Sequence, residues 1–170
     1  MVQVAVPINT LINGFVTLVG AATAHQCIDE GIDSADDNTT YFRDVTGVKV
    51  FQGLCTSSSA PEPGDIQWRV RIRDRIPGLA QSNWLIQMGS ATDGIVGARV
   101  ASAPVSGNWI TYTYTLTTAE RANLTSYTNL ALRIVLQNTT AAWSGCTAAD
   151  IILPDALPFS PTWWDNWARL

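Results

Sequence analysis

Polar and apolar positions alternate over short stretches through most of the chain. "DIQWRVRIRDR" sets Ile66, Trp68, Val70 and Ile72 on one side and Gln67, Arg69, Arg71 and Arg73 on the other. Successive side chains of a strand point to opposite faces, so this stretch predicts a half-buried strand with an outward row of arginines. "WITYTYTL" sets Trp109, Thr111, Thr113 and Thr115 against Ile110, Tyr112, Tyr114 and Leu116. "LALRIVLQ" turns Leu130, Leu132, Ile134 and Leu136 inward, with Arg133 and Gln137 outward. Further strands are predicted at 15–19, 39–43, 46–52, 83–88, 95–101 and 147–153. Turn clusters separate them: "SADDN", "TSSSAPEPGD", "IPGLAQSN", "GSATDG" and "APVSGN". About eight or nine short strands with no long amphipathic helix predict an all-β, antiparallel β-sandwich. No repeat at solenoid or propeller period is present.

The alternation breaks once, in "LTTAERANL". Thr117 is followed three residues later by Glu120, the spacing of a capping box, in which each side chain bonds the other's backbone amide. Ala119, Ala122 and Leu124 then form one small apolar stripe, which predicts a short helix over about 118–124. So short a helix needs tertiary packing to persist, so it is expected to close one end of the sandwich.

Composition narrows the class. A chain of 170 residues suits one domain with a real core. Charged residues make up only 14% against 46% hydrophobic, which excludes disorder and suggests surface hidden against a partner. The net charge of −4 argues against nucleic acid as a partner. Lys49 is the one lysine among ten basic residues; the other nine are arginines, which suit packed or interfacial positions. Cys27, Cys55 and Cys146 are odd in number and lack metal-ligand spacing, so they read as reduced core thiols in a reducing compartment. Residues 1–24 resemble a secretory h-region but contain no Lys or Arg, so a signal peptide is not expected. The same stretch is too short and too interrupted to span a membrane.

Candidate chemistry is thin. The single histidine, His25, has no evident nucleophile or acid partner, and neither a nucleophile elbow nor a phosphate loop occurs. No enzyme activity and no cofactor are expected. Asp29, Glu30 and Asp33, with Asp36 and Asp37, offer a weak calcium candidate, although Asx turns are the commoner use of such residues. The three Asn-x-Thr sequons read as Thr-rich turns and strand starts. Arg69, Arg71, Arg73 and Arg75 form a charged row, expected either to be an interface that meets an acidic neighbour such as a capsid subunit or an anionic glycan, or to stay a solvated strand face. Among seven tryptophans, Trp68, Trp84, Trp109 and Trp143 lie in or near strands and read first as core residues; for the alternative of a sugar-binding sandwich, Trp68 and Trp84 are the candidates for stacking a ring. "LPDALPFSPTWWDNWARL" carries Pro154, Pro158 and Pro161, with Phe159 between the last two and Trp163, Trp164 and Trp167 behind all three. Left in water such a cluster is an aggregation liability, so these residues are expected to dock, either back on their own sandwich or, the favoured reading, as the anchors of an extended arm on another subunit.

"CIDEGIDSADDNTTYFRD", "YTLTTAERANLTSYTNLALRIVL" and "AADIILPD" together resemble a jelly-roll β-sandwich module of bacteriophage virion proteins, over roughly residues 25–155. The resemblance implies a jelly roll; the chain departs from its pattern at both ends, and is expected to divide into a β-sandwich domain over 1–153, with 1–24 as an N-terminal arm or first strand, and a Pro/Trp-rich C-terminal arm over 154–170. It further implies a capsid decoration protein located in the virion and assembled in the host cytoplasm. Its expected partners are the major capsid protein or other virion subunits, with homo-oligomers, trimers foremost. The alternative is a glycan-binding module of a tail or head fibre.

Overall fold

The computed structural model describes residues 2–15, 17–44, 47–56, 64–75, 82–102, 107–138 and 143–154. In chain order its strands are β1 (Val2–Ala5), β2 (Pro7–Asn13), β3 (Thr17–Val19), β4 (Tyr41–Asp44), β5 (Lys49–Cys55) and β6 (Gln67–Arg75). They continue with β7 (Asn83–Ser90), β8 (Gly94–Ser102), β9 (Ile110–Thr115), β10 (Leu130–Asn138) and β11 (Trp143–Pro154). One helix, α1 (Thr118–Ala122), lies between β9 and β10.

Two antiparallel sheets pack face to face. The first runs β3–β4–β11–β6–β9, with β1 also on β11; the second runs β2–β5–β10–β7–β8. The architecture is the expected all-β sandwich of jelly-roll type. Strand β11 organises the first sheet. It pairs β6 along one side; on the other it pairs β4 through Ser144–Cys146 and β1 through Ile151–Pro154. The N-terminal stretch, expected as an arm or a first strand, supplies three strands shared between both sheets. A single residue, Val6, carries the chain from β1 across to β2. Its amide and carbonyl are both bonded to Thr56.

The inward face of each strand builds the core. Trp68, Val70 and Ile72 from β6 meet Trp84, Ile86 and Met88 from β7 and Leu132 and Ile134 from β10, all fully buried. Burying each such side chain contributes about 1.5–3 kcal/mol. The three cysteines are free and buried among these residues. Burial pushes the Cys27 thiol up to about 11 and the Cys55 thiol up to about 12. A buried polar knot sits at one margin of the core. Asp74 accepts from the Ser82 amide at 2.7 Å and from the Ser144 hydroxyl at 2.5 Å.

The capping box forms as its spacing predicts. Thr117 Oγ1 accepts from the Glu120 amide at 3.2 Å, and Glu120 Oε2 accepts from the Thr117 amide at 2.8 Å. Glu120 also takes a two-point bond from Arg99 on β8, at 2.7 and 2.8 Å, which ties the helix to the second sheet. Asp93, in the β7–β8 turn, accepts from the amides of Thr125 and Ser126 at 2.9 Å each and so holds the segment after the helix. No helix among the described residues is long and apolar enough to cross a membrane.

Candidate functional site

The arginine row projects from the outer face of the first sheet, and its partners come from residues 29–40 and from β11. Arg69 donates to both oxygens of the fully buried Asp150, at 2.8 and 2.7 Å. It also reaches both oxygens of Asp33 at 3.2 Å. The bonds to Asp150 hold the Arg69 guanidinium above its ordinary pKa. Asp150 accepts in addition from the Ile32 amide at 2.9 Å, so the loop is pinned to the sheet. Arg71 clamps Asp37 at 2.5 and 2.6 Å and reaches Thr111 on β9 at 3.0 Å. Asp37 has φ +47°, a left-handed backbone that Asp tolerates better than most residues. Arg69 and Arg71 are thus neither solvated nor left for an outside acid: their acidic partners come from this chain.

The acidic turn is spent differently from a calcium loop. Asp33 and Asp37 pair with arginines, while Asp36 Oδ1 accepts from the Thr40 amide at 3.0 Å and its hydroxyl at 2.7 Å, a local Asx arrangement. Among the described residues, no three His, Cys, Asp or Glu side chains converge as a metal site.

Arg73 differs from its two neighbours. Its Nη1 donates to Asn38 Oδ1 at 3.0 Å, and its guanidinium lies 4.4 Å from the Trp109 ring centre and 4.7 Å from that of Trp143. Arg43, across the sheet on β4, lies 5.1 Å from the Trp143 ring. Tyr41 stacks on Trp143 at 5.5 Å with an interplanar angle of 12° and meets Trp109 edge-on at 5.8 Å. Gly145 sits in the cross-strand row between Arg43 and Arg73. A Cβ there would stand 3.1 Å from the Trp143 ring and 3.0 Å from the Phe42 carbonyl, so its absence lets the indole lie flat against the sheet. Trp143 is only 4% exposed and acts as the floor, whereas Tyr41 and Trp109 remain half-buried. The result is an aromatic face with a guanidinium and a carboxamide at its margin.

Trp68 and Trp84, the sugar-stacking candidates from the sequence, are both fully buried. Each lies on the inward set of its strand, so neither ring can meet a ligand. Trp109 was the informative tryptophan: it shares a side with Thr111, Thr113 and Thr115, the polar side of its alternation. The side chain of Arg75 lies outside the described residues, as do Phe159, Trp163, Trp164 and Trp167.

No protein-family model matches the chain, and no curated protein sequence does. By structure it is similar to the C-terminal CBM6, a carbohydrate-binding module, of the laminarinase LamC from Zobellia galactanivorans. The two share 11% identity with a TM-score of 0.52, over 90% of this chain and 99% of that one. It is also similar to part of an arabinose-bound MgGH51 α-L-arabinofuranosidase, at 6% identity and TM-score 0.51, over 84% of this chain and 22% of the enzyme. The CBM36-1 domain of a xylanase from the hindgut metagenome of Trinervitermes trinervoides superposes at TM-score 0.49 with 7% identity, over 92% of this chain and 100% of that one. The fold is a jelly-roll β-sandwich of the kind carbohydrate-binding modules adopt. These neighbours lend nothing to the virion features of the resemblance drawn from residues 25–155.

Proposed function

We propose that the protein is a carbohydrate-binding module whose site is the face formed by Tyr41, Trp109, Asn38 and Arg73. The observation that carries this reading is the pair of half-buried rings, Tyr41 and Trp109, 5.8 Å apart, with the Asn38 carboxamide and the Arg73 guanidinium beside them. A pyranose presents an apolar ring face edged by hydroxyls. Aromatic surface accepts the ring face, and fixed carboxamide and guanidinium groups bond the hydroxyls. Trp143 and Gly145 hold the platform rigid, which lowers the entropy lost on binding. Asp33, Asp37 and Asp150 beside this face each pair with an arginine, and Asp36 is held by the Thr40 amide and hydroxyl, which favours binding over acid–base chemistry. The jelly roll shared with the CBM6 domain of LamC supports the reading as an analogy of scaffold. Affinity electrophoresis of the wild type and Trp109→Ala against soluble β-glucans, xylans and arabinans tests it. Retardation by at least one polysaccharide, lost in the variant, is expected; no retardation by any of them, or equal retardation of both proteins, contradicts the reading.

A second reading, the structural subunit of a larger assembly such as a capsid decoration protein, is favoured by one specific feature. The edge strand β2 exposes Ile8 at 54%, Leu11 at 49% and Ile12 at 46%, an apolar strip that a neighbouring subunit would cover. A monodisperse monomer at high concentration, measured by sedimentation, counts against this reading.

A further inference from the structure

We propose that the outer face of the second sheet carries a separate site for a carboxylate-bearing sugar, a uronic acid, centred on Arg133. The pairing register places Gln52 on β5 and Gln87 on β7 directly opposite Arg133 on β10. Ile12 on β2 extends the same row beyond Gln52. Neighbouring strands lie about 4.8 Å apart, so the three polar side chains span about 10 Å. One row along, the residues are small: Ala131 faces Gly89. The floor drops there, while Ile12 and Ile95 rise at the margins, 46% and 52% exposed. The outcome is a groove of about 300 Å³ lined by Ile12, Gln52, Gln87, Gly89, Ile95 and Arg133. That volume stands at the small end of ligand sites and suits one or two sugar units rather than a long chain.

Arg133 is set apart from the other arginines of the sandwich. Arg69, Arg71 and Arg99 each hold a carboxylate, and Arg43 and Arg73 lie over indole rings. Arg133 donates one bond at 2.8 Å to the neutral Gln87 Oε1, and among the described residues it has no acidic partner. A guanidinium offers five donors in a planar fork that matches a carboxylate two-point. The Gln52 amide, which makes no hydrogen bond to the described residues, stands on the other side to bond an adjacent hydroxyl. The apolar flanks Ile12 and Ile95 suit the ring's C–H surface. A half-buried cation beside apolar walls selects an anion that carries an apolar body over a free one. The choice of a sugar as that body rests on the proposed function; the groove and its unneutralised guanidinium do not.

The test follows the side-chain amide signals of Gln52 and Gln87 in nitrogen-15 spectra of the full chain, titrated with glucuronate, glucose and acetate. Glucuronate is expected to shift both amides at concentrations at least tenfold below those needed for glucose or acetate. In Arg133→Met the response to glucuronate is expected to weaken tenfold or more, the scale of a charge-assisted two-point bond. Gln52→Ala, read on the Gln87 amide alone, provides a second variant, with a smaller loss of about threefold. Trp109→Ala is expected to leave the response unchanged. The proposal is overturned if glucose matches glucuronate, if acetate matches it, if Arg133→Met responds as the wild type, or if Trp109→Ala abolishes the shifts. Failure of neutral glycans at Trp109 with the glucuronate response intact would sink the proposed function alone and support this site.

Discussion

The two outer faces of the sandwich use arginine in opposite ways. On the first sheet, Arg69 and Arg71 are neutralised by Asp150, Asp33 and Asp37, and Arg73 lies against the Trp109 and Trp143 rings. On the second sheet, Arg133 stands in an apolar field with two glutamines. The first arrangement ties a long loop to the sheet and leaves the rings at its end in one fixed geometry. The second leaves a cation with spare donors. A row of alternating arginines is therefore no single signal. Its role depends on what the rest of the chain brings to that face.

The largest expected effect comes from confusing the two kinds of tryptophan. Trp84→Ala removes a fully buried ring from the core and is expected to lower the unfolding free energy by about 3–5 kcal/mol. Trp109→Ala is expected to change it by less than about 1 kcal/mol while removing glycan binding. Urea unfolding of both variants separates the roles, and equal losses would erase the distinction between core and platform. Next in size is the ladder beneath the aromatic face. Asp150→Ala leaves Arg69 with only the exposed Asp33 and leaves the Ile32 amide without its acceptor, at an expected cost of about 3 kcal/mol. A loss under about 1 kcal/mol in the same experiment would mean that the loop holds its place without this pair.

The smallest effect is one of pH. Hydrogen bonds from Arg99, then from Thr117, hold the Glu120 carboxyl down to about 2 from its ordinary value. A depressed folded-state pKa gives stability that is complete above the unfolded value near 4.5 and is lost as pH falls towards 2. Glu120→Gln is expected to flatten the fall in melting temperature across that window and to change little at pH 7 beyond the loss of one surface ion pair. An unchanged acid limb would remove Glu120 from the account. Asp93 is held low by the Thr125 hydroxyl and then the Ser126 amide, so a residual slope in the variant is expected from it.

Much of the fold was legible because its signals are local. Period-two alternation separates inward Trp68, Val70 and Ile72 from outward Arg69, Arg71 and Arg73, and the Thr117–Glu120 spacing marks the helix start. The helix ends two residues earlier than its apolar stripe suggests, because Asn123 already acts as its cap and Leu124 turns inward to 3% exposure. What stayed hidden depends on distant pairing. Val2 lies opposite Pro154, and nothing in "MVQVAVPINT" shows that its two halves belong to different sheets. The acidic turn and the arginine row were each visible, but their union was not, since Arg69 and Asp150 stand 81 positions apart. The aromatic face was scattered in the same way over Tyr41, Trp109 and Trp143, which meet only when β4, β9 and β11 share a sheet. The polar company of Trp109 was the one local clue to its outward position.

The most direct measurement is a calorimetric titration of the wild type and Trp109→Ala with the polysaccharide that retards the wild type most, each protein first shown to melt at the same temperature. The account predicts saturable binding by the wild type and at least a tenfold weaker association in the variant. Undiminished affinity in a folded Trp109→Ala would contradict it.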